Sequence, residues 1–235
     1  SLLGQVFNSL TASIGNHNAT KSEDSKFEMF NFMNLMNFWI FGWAALGIVF
    51  CSSDLVRLCF GEEYVLPLKI PLVMALNFYT VGMMNAIWTY KHTLGLFRYG
   101  RFLQIITGIL NIIFSVVLGK SLGLFGILFA TFIARACTNL WYDPYAVYVH
   151  GFSKSPMLYL VKYIQYLVVL GVTAGGCYIV LTPSHMPIFA QVIVKILLCS
   201  LICNIVFYII FRKTPEFQKL KEIVKNVLSI VFRRK

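Results

Sequence analysis

The sequence predicts an all-α integral membrane protein with six complete transmembrane helices, the end of an earlier one, and a C-terminal amphipathic helix. Of its 235 residues, 58% are hydrophobic and only 12% are charged, and the mean hydropathy is +0.74. Soluble domains are about 45–50% apolar and about 25% charged. A chain this apolar has too little polar surface to dissolve as a globular domain.

The spans follow from the length of the apolar segments, since a membrane-spanning helix needs about 20 predominantly apolar residues. Six segments meet this requirement: residues 30–52, 68–90, 102–118, 122–147, 159–181 and 188–211. Residues 1–14 have the composition of the last part of a preceding span, without the basic start and small-residue cleavage site of a signal peptide. We therefore expect an N-terminal portion that precedes this segment.

The loops predict the orientation, because cytoplasmic loops carry an excess of Lys and Arg. The loops after the second and fourth spans are basic and contain no acid, and residues 212–235 contain eight Lys and Arg against two Glu. The alternate loops are poorer in basic residues. We predict a multi-pass protein of the cytoplasmic membrane with its C-terminus in the cytoplasm. Its net charge of +11 indicates anionic membrane lipids rather than nucleic acid as partners.

Residues 215–232 predict an amphipathic helix with Thr214 as its N-cap and Pro215 at the first helical position. Hydrophobic residues recur at helical spacing, and lysines lie opposite them. We expect this helix to lie on the inner membrane surface. The alternative is a solvated basic tail.

The third span contains a stripe of polar and small residues on one helix face, with Arg101 extending the stripe at the cytoplasmic end. Its members are Gln104, Thr107, Gly108, Asn111 and Ser115. A polar stripe in a spanning helix avoids lipid. It forms either the wall of a hydrated cavity or a seam of helix–helix packing through small and polar side chains. Both interpretations remain open.

Arg135 lies near the middle of the fourth predicted span, with Thr131 and Asn139 on the same side of the helix. A charge at this depth costs about 2.5–3.5 kcal/mol on insertion scales. We therefore expect it either to face a cavity and bind an anionic group, or to pair with a carbonyl or an acid of another span. The candidate substrate-binding residues are Arg135, Thr131, Asn139, Arg101, Gln104, Thr107, Asn111 and, on the second span, Asn85.

No catalytic set is recognisable, and the protein is not predicted to be an enzyme. The sequence has no H-E-x-x-H, G-x-S-x-G or P-loop motif, and Asp143 is the only acid in a predicted span. The six cysteines are scattered without a C-x-x-C pair and are interpreted as buried free thiols. No metal or cofactor is therefore predicted. We interpret Lys195 as extending outward to the membrane surface.

Several segments carry a resemblance to a known family. They are residues 11–16 (TASIGN), 17–22 (HNATKS), 34–39 (NLMNFW), 55–67 with the run FGEEY, 95–101 (GLFRYGR) and 120–127 (KSLGLFGI). Together they resemble bacterial polysaccharide flippases, the O-antigen or capsule repeat-unit transporters. These belong to the multidrug/oligosaccharidyl-lipid/polysaccharide exporter superfamily. The resemblance extends over nearly the whole chain.

The resemblance implies a fold of two six-helix bundles around a central cavity, often with two additional C-terminal helices. On this analogy residues 1–147 supply most of the second bundle, residues 148–211 supply the two additional helices, and residues 212–235 form a basic cytoplasmic tail. The first bundle is missing from this sequence and is expected as a partner. The implied function is to move undecaprenyl-diphosphate-linked oligosaccharide across the membrane, and a cavity arginine would offset the diphosphate charge.

Three other functions remain as alternatives. A cation-coupled multidrug exporter of the same superfamily would use an acid inside the membrane, and the first three predicted spans contain none. A membrane polysaccharide polymerase would carry long outer loops, whereas the longest outer loop predicted here comprises only about residues 53–67. The third alternative, a membrane scaffold that transports nothing, can be distinguished only by assay.

Overall fold

The structure, a computed structural model, describes residues 22–181 and 187–222 together with residue 225. These described parts contain no β-strand. The helices, in chain order, are α1 (Glu23–Phe60), α2 (Lys69–Thr93), α3 (Leu103–Leu122), α4 (Leu124–Ala136), α5 (Asn139–Ala146), α6 (Met157–Val180) and α7 (Ile188–Phe211). A 3₁₀ turn, Glu62–Tyr64, follows α1, and a π-helical turn, Val147–Gly151, follows α5. Residues 215–222 are also helical.

Six helical segments are long and apolar enough to cross a membrane, with α4, α5 and the π-helical turn together forming the fourth, Leu124–Gly151. The prediction of an all-α, multi-pass membrane protein is therefore confirmed. Two predictions lie outside the described residues: the end of an earlier span at 1–14, and the part of the amphipathic helix beyond residue 222.

The structure places the ends of most spans differently from the hydropathy pattern. The sixth predicted span coincides with α7, but α1 begins seven residues before residue 30 and continues eight residues beyond residue 52. Helix α1 can extend into polar residues because the free backbone groups at both of its ends find hydrogen-bond partners. At the start of α1, Ser22 accepts a bond from the amide of Ser25, and at its end the Gly61 amide donates to the carbonyl of Arg57. Hydropathy alone does not detect such polar helix ends.

The helices pack around a central pair. The α1–α2 pair is central: α4 and α5 pack on α2, α3 packs on the outside of α4 and α5, and α6 and α7 pack on α1. Close approach of α1 and α2 depends on Gly82, because a Cβ there would lie 2.0 Å from Cγ of Phe41. Small residues allow membrane helices to approach in this way.

The α3–α4 hairpin is tightly closed. Its single connecting residue, Gly123, has φ of +61°, a left-handed conformation that favours glycine. Gly126, in the first turn of α4, lies so close to α3 that a Cβ there would be 2.0 Å from the carbonyl oxygen of Leu118. The two helices therefore behave as one unit packed against α2.

The other side of the molecule is built on aromatic packing against α1. Phe38 stacks on Tyr166 of α6 and contacts Phe207 of α7, with ring centroids 4.6 and 4.8 Å apart. Trp39 stacks on Phe217 of the helix at 215–222, at 5.7 Å. This helix is also tied to α6 by an ion pair between Glu216 and Lys162.

Candidate functional site

Arg135 lies in the last turn of α4 and is half-buried. Its Nη1 donates to Oδ1 of Asn77 on α2 at 3.3 Å. The Asn77 amide in turn donates to the carbonyls of Val73 at 3.0 Å and Leu128 at 2.9 Å, so Asn77 bridges α2 and α4. No carboxylate in the described parts of the chain forms an ion pair with Arg135. The bond to Asn77 uses one of the five N–H donors of the guanidinium, and the described residues provide no other side-chain acceptor for it.

The fourth span is interrupted shortly after Arg135. We predicted one span over residues 122–147, and the structure has one at Leu124–Gly151, but its helix is not continuous: α4 ends at Ala136 and α5 begins at Asn139, with Thr138 at φ −129° and ψ −92° between them. The Thr138 hydroxyl donates to the carbonyl of Ala134 at 2.7 Å, and the Trp141 indole donates to the carbonyl of Cys137 at 3.1 Å. Side chains thus satisfy backbone groups that a continuous helix would have satisfied.

Irregular backbone at membrane depth is tolerated where protein or a water-filled cavity surrounds it. Pro144 lies inside α5, where it lacks an N–H and its ring crowds the carbonyl of Leu140, but Leu140 comes after the break, so Pro144 does not account for it. The prediction used the mean hydropathy of the segment. Thr138, Asn139 and Pro144 are too few to lower that mean enough to divide the span. The break places the charged end of α4 beside non-helical backbone.

Two members of the polar stripe of α3, Thr107 and Asn111, contact α4 and α5. The Thr107 hydroxyl is 2.7 Å from the Thr138 hydroxyl and 2.8 Å from Oδ1 of Asn139. Further along the stripe, the Asn111 amide donates to the Thr131 hydroxyl at 3.3 Å. These contacts favour the interpretation of the stripe as a helix–helix packing seam, in which polar side chains of neighbouring helices form hydrogen bonds with each other.

Three other candidates lie apart from Arg135. Gln104 and Arg101 are exposed near the start of α3, and the Arg101 guanidinium lies over the ring of Phe102 at 4.6 Å. Asn85 is half-buried on α2. No polar contact joins any of these three to Arg135 in the described structure. The closest partner of Arg135, Asn77, was not among the predicted site residues, because it lies on a different face of the second span from Asn85.

An apolar groove of about 380 Å³ lies between α2, α5 and the start of α6. Thr80 lines it one turn beyond Asn77, and Ala136 lines it directly after Arg135 in the chain. Its remaining lining is almost entirely hydrophobic and aromatic. Arg135 itself does not line the groove; the groove is next to it through Ala136 and through Thr80, one turn from Asn77.

Two buried ion pairs join the helices elsewhere. Asp143 of α5 accepts from Lys91 Nζ at 2.5 Å and from the Trp88 indole at 3.2 Å, both on α2. Asp54 of α1 accepts from Lys195 of α7 at 2.5 Å.

The second pair corrects two predictions. Lys195 does not extend outward, because it bonds to Asp54. Asp143 is also not the only acid in a spanning helix, since α1 continues past residue 52 and includes Asp54. Both errors have the same cause, which is that hydropathy placed the end of the first span too early.

Comparison of the chain with protein-family models, with curated proteins and with solved structures finds no match in any of the three.

Proposed function

We propose that this protein takes part in moving lipid-linked oligosaccharide across the cytoplasmic membrane, with Arg135 meeting the diphosphate of the lipid carrier. The observation that carries this proposal is the half-buried guanidinium of Arg135, whose described neighbours include an amide but no carboxylate. A phosphate group is a strong acceptor for such a guanidinium, because charge-assisted N–H···O bonds in pairs match its planar fork.

The apolar groove beside Arg135 supports the same class of substrate. A polyprenyl chain is apolar, and the groove between α2, α5 and α6 is lined mainly by hydrophobic and aromatic side chains. A ligand with an anionic head and an isoprenoid tail therefore fits an arginine and a neighbouring groove better than a soluble anion does. The resemblance of the sequence to polysaccharide flippases points to the same substrate.

The test is complementation with a matched arginine control. The full-length gene that encodes this chain is expressed in a bacterial strain that lacks its own polysaccharide flippase, and surface polymer is measured. We expect the wild type and Arg98→Ala to restore polymer, because Arg98 is exposed in the loop after α2. We expect Arg135→Ala to abolish it although the protein is inserted at a normal level.

The other outcomes test the transport function and the role of Arg135 separately. Restoration by Arg135→Ala would keep the transport function and remove Arg135 from it. Failure of the wild type in strains with different repeat units would contradict the transport of lipid-linked oligosaccharide.

A cation-coupled exporter is the second candidate, and one observation favours it. Asp54 is buried within α1, and an acid inside the membrane is the kind of group that proton or sodium coupling requires. Drug efflux from cells that express the protein, lost in Asp54→Asn, would support this candidate. An unchanged drug sensitivity would contradict it.

A further inference from the structure

Four of the six cysteines come together where α1, α6 and α7 meet. The sulfur atoms of Cys177 from α6 and of Cys199 and Cys203 from α7 all lie within 4.8 Å of one another, and all three residues are buried. Cys51 of α1 lies within hydrogen-bonding reach of Cys199. Sequence spacing does not indicate this cluster, because Cys177 lies 22 and 26 positions before the other two.

The spacing of the three sulfurs is that of ligands around a single ion. Sulfurs bound at about 2.3 Å to one metal in a plane lie about 4 Å apart, so the three thiols need only a small movement to share one ion. Both α7 cysteines are on the same helix face, one turn apart, while Cys177 approaches from α6. The three ligands therefore come from a preformed helix–helix contact rather than from a loop.

We propose that Cys177, Cys199 and Cys203 form a three-sulfur binding site for a soft metal ion, with Cu(I) as its occupant. Thiolate sulfur favours soft ions. Zinc in structural sites takes four ligands, whereas only three sulfurs lie within mutual reach here, and three-coordinate sulfur suits Cu(I). Each thiol that becomes a thiolate on binding releases one proton. This site is independent of the transport function proposed above.

The surroundings suit a monovalent ion. The cluster lies in the hydrophobic core formed by α1, α6 and α7, where an uncompensated charge is costly. Asp54 and Lys195, which lie near Cys51, form an ion pair, and Arg57 lies 3.7 Å from the same Asp54. One thiolate is enough to balance a singly charged ion, whereas a doubly charged ion needs two, so Cu(I) can be bound with the loss of a single proton.

The first test is a titration of the full chain in lipid nanodiscs, under anaerobic conditions, with Cu(I) delivered by a coloured chelator that competes for the metal. We expect one tightly bound Cu(I) per chain. Replacement of a coordinating sulfur should lower the affinity more than about 100-fold, since even loss of an outer-shell partner costs 10–100-fold. The variants are Cys177→Ser, Cys199→Ser and Cys203→Ser, and the matched controls are Cys59→Ser and Cys137→Ser, which are exposed and should bind normally.

A second measurement does not depend on the folding of the variants. X-ray absorption at the copper edge of the loaded wild type should show three sulfur ligands. Nitrogen or oxygen ligands, or equal binding by the three variants and the controls, would show copper bound elsewhere and overturn the proposal. It would also be overturned by tighter binding of Zn(II) than of Cu(I), or by a disulfide among the three cysteines in the anaerobically purified chain.

Discussion

The α3–α4 hairpin and the helices around α1 use polar groups differently. In α2, at the centre, 61% of the apolar stretch is buried, whereas in α3 the buried share is 6%. The buried charges that join the central helices to their neighbours occur in pairs, Asp54 with Lys195 and Asp143 with Lys91. Arg135, on the hairpin, has an amide as its described partner instead. Paired charges hold helices together, and an arginine without an acid remains able to bind a ligand.

The largest effect should come from breaking a buried pair at the centre. Asp143→Leu leaves the Lys91 ammonium buried without its carboxylate, and removal of one partner of a buried pair costs about 3–5 kcal/mol. We expect a large fall in the thermal unfolding midpoint in detergent and little inserted protein. The double variant Asp143→Leu/Lys91→Met should recover most of this loss, because a buried pair replaced by apolar residues is often neutral.

The matched control is Asp24→Asn. Asp24 has an exposed side chain and lies 3.5 Å from Lys154, and exposed pairs contribute little. Equal midpoints for Asp143→Leu and Asp24→Asn would contradict a structural role for the buried pair.

The next effect should come from separating the hairpin helices. Gly126→Ala brings a Cβ onto the Leu118 carbonyl of α3, and overpacking of this kind costs about 1–3 kcal/mol. Gly108→Ala is the matched control on α3, where a Cβ meets no atom within 4 Å. We expect Gly126→Ala to lower the unfolding midpoint and Gly108→Ala to leave it unchanged or raise it. The reverse order would show that the close contact does not determine the stability of the hairpin.

Arg135 should contribute less to stability than the buried pair at the centre. Arg135→Met leaves Oδ1 of Asn77 without its described donor but no buried charge without its partner, so the expected cost is about 1–3 kcal/mol. The unfolding midpoint measured beside that of Asp143→Leu gives the comparison directly. A loss as large as that of Asp143→Leu would mean that Arg135 is part of the structural framework, which removes the main support for a ligand-binding role.

The smallest effect concerns the helix at residues 215–222. Burial raises the pKa of Glu216, but the hydrogen bonds from Lys162, from the backbone and from Thr214, together with the charge of Lys162, lower it more, so that this pKa lies below its ordinary value. A depressed carboxyl pKa contributes stability above the pKa of the unfolded state, about 4.3 for Glu, and this contribution is lost as the pH falls through the lower, folded value. Acidification over this interval should therefore weaken the packing of Phe217 on Trp39.

A spin-label distance between α1 and this helix, measured as a function of pH, checks the last prediction. We expect the distance to increase at acid pH in the wild type and in Glu222→Gln, whose residue is exposed. Glu216→Gln should show no transition in this interval, because it has no proton to gain. A transition of the same size in Glu216→Gln would assign the titration to another group.

Features that depend on the burial of apolar residues in lipid could be predicted from the sequence. Features that depend on individual hydrogen bonds could not. All six spans were predicted, and α7 was predicted to the residue. The full length of α1, the break after Ala136 and the bonds of Lys195 were missed. Each depends on where individual polar groups find partners, and neither hydropathy nor spacing contains that information.

The candidate site was predictable only in part for the same reason. Arg135 stands out in the sequence because a charge within an apolar segment is costly. Its partner Asn77 does not stand out, since an amide in a spanning helix is common and its role depends on which helix lies opposite. The cysteine cluster likewise depends on the contact between α6 and α7, which a single sequence does not specify.

If the protein transports as proposed above, the length of helix α1 has a mechanical consequence. Its 38 residues make a rod of about 57 Å, nearly twice the hydrocarbon thickness of about 30 Å. One end carries the aromatic contacts of Phe27 and Phe30, and the other carries Asp54 with its bond to α7. If a straight helix of this length tilts about its middle, its two ends move in opposite directions. Opening at one face of the membrane would then be coupled to closing at the other.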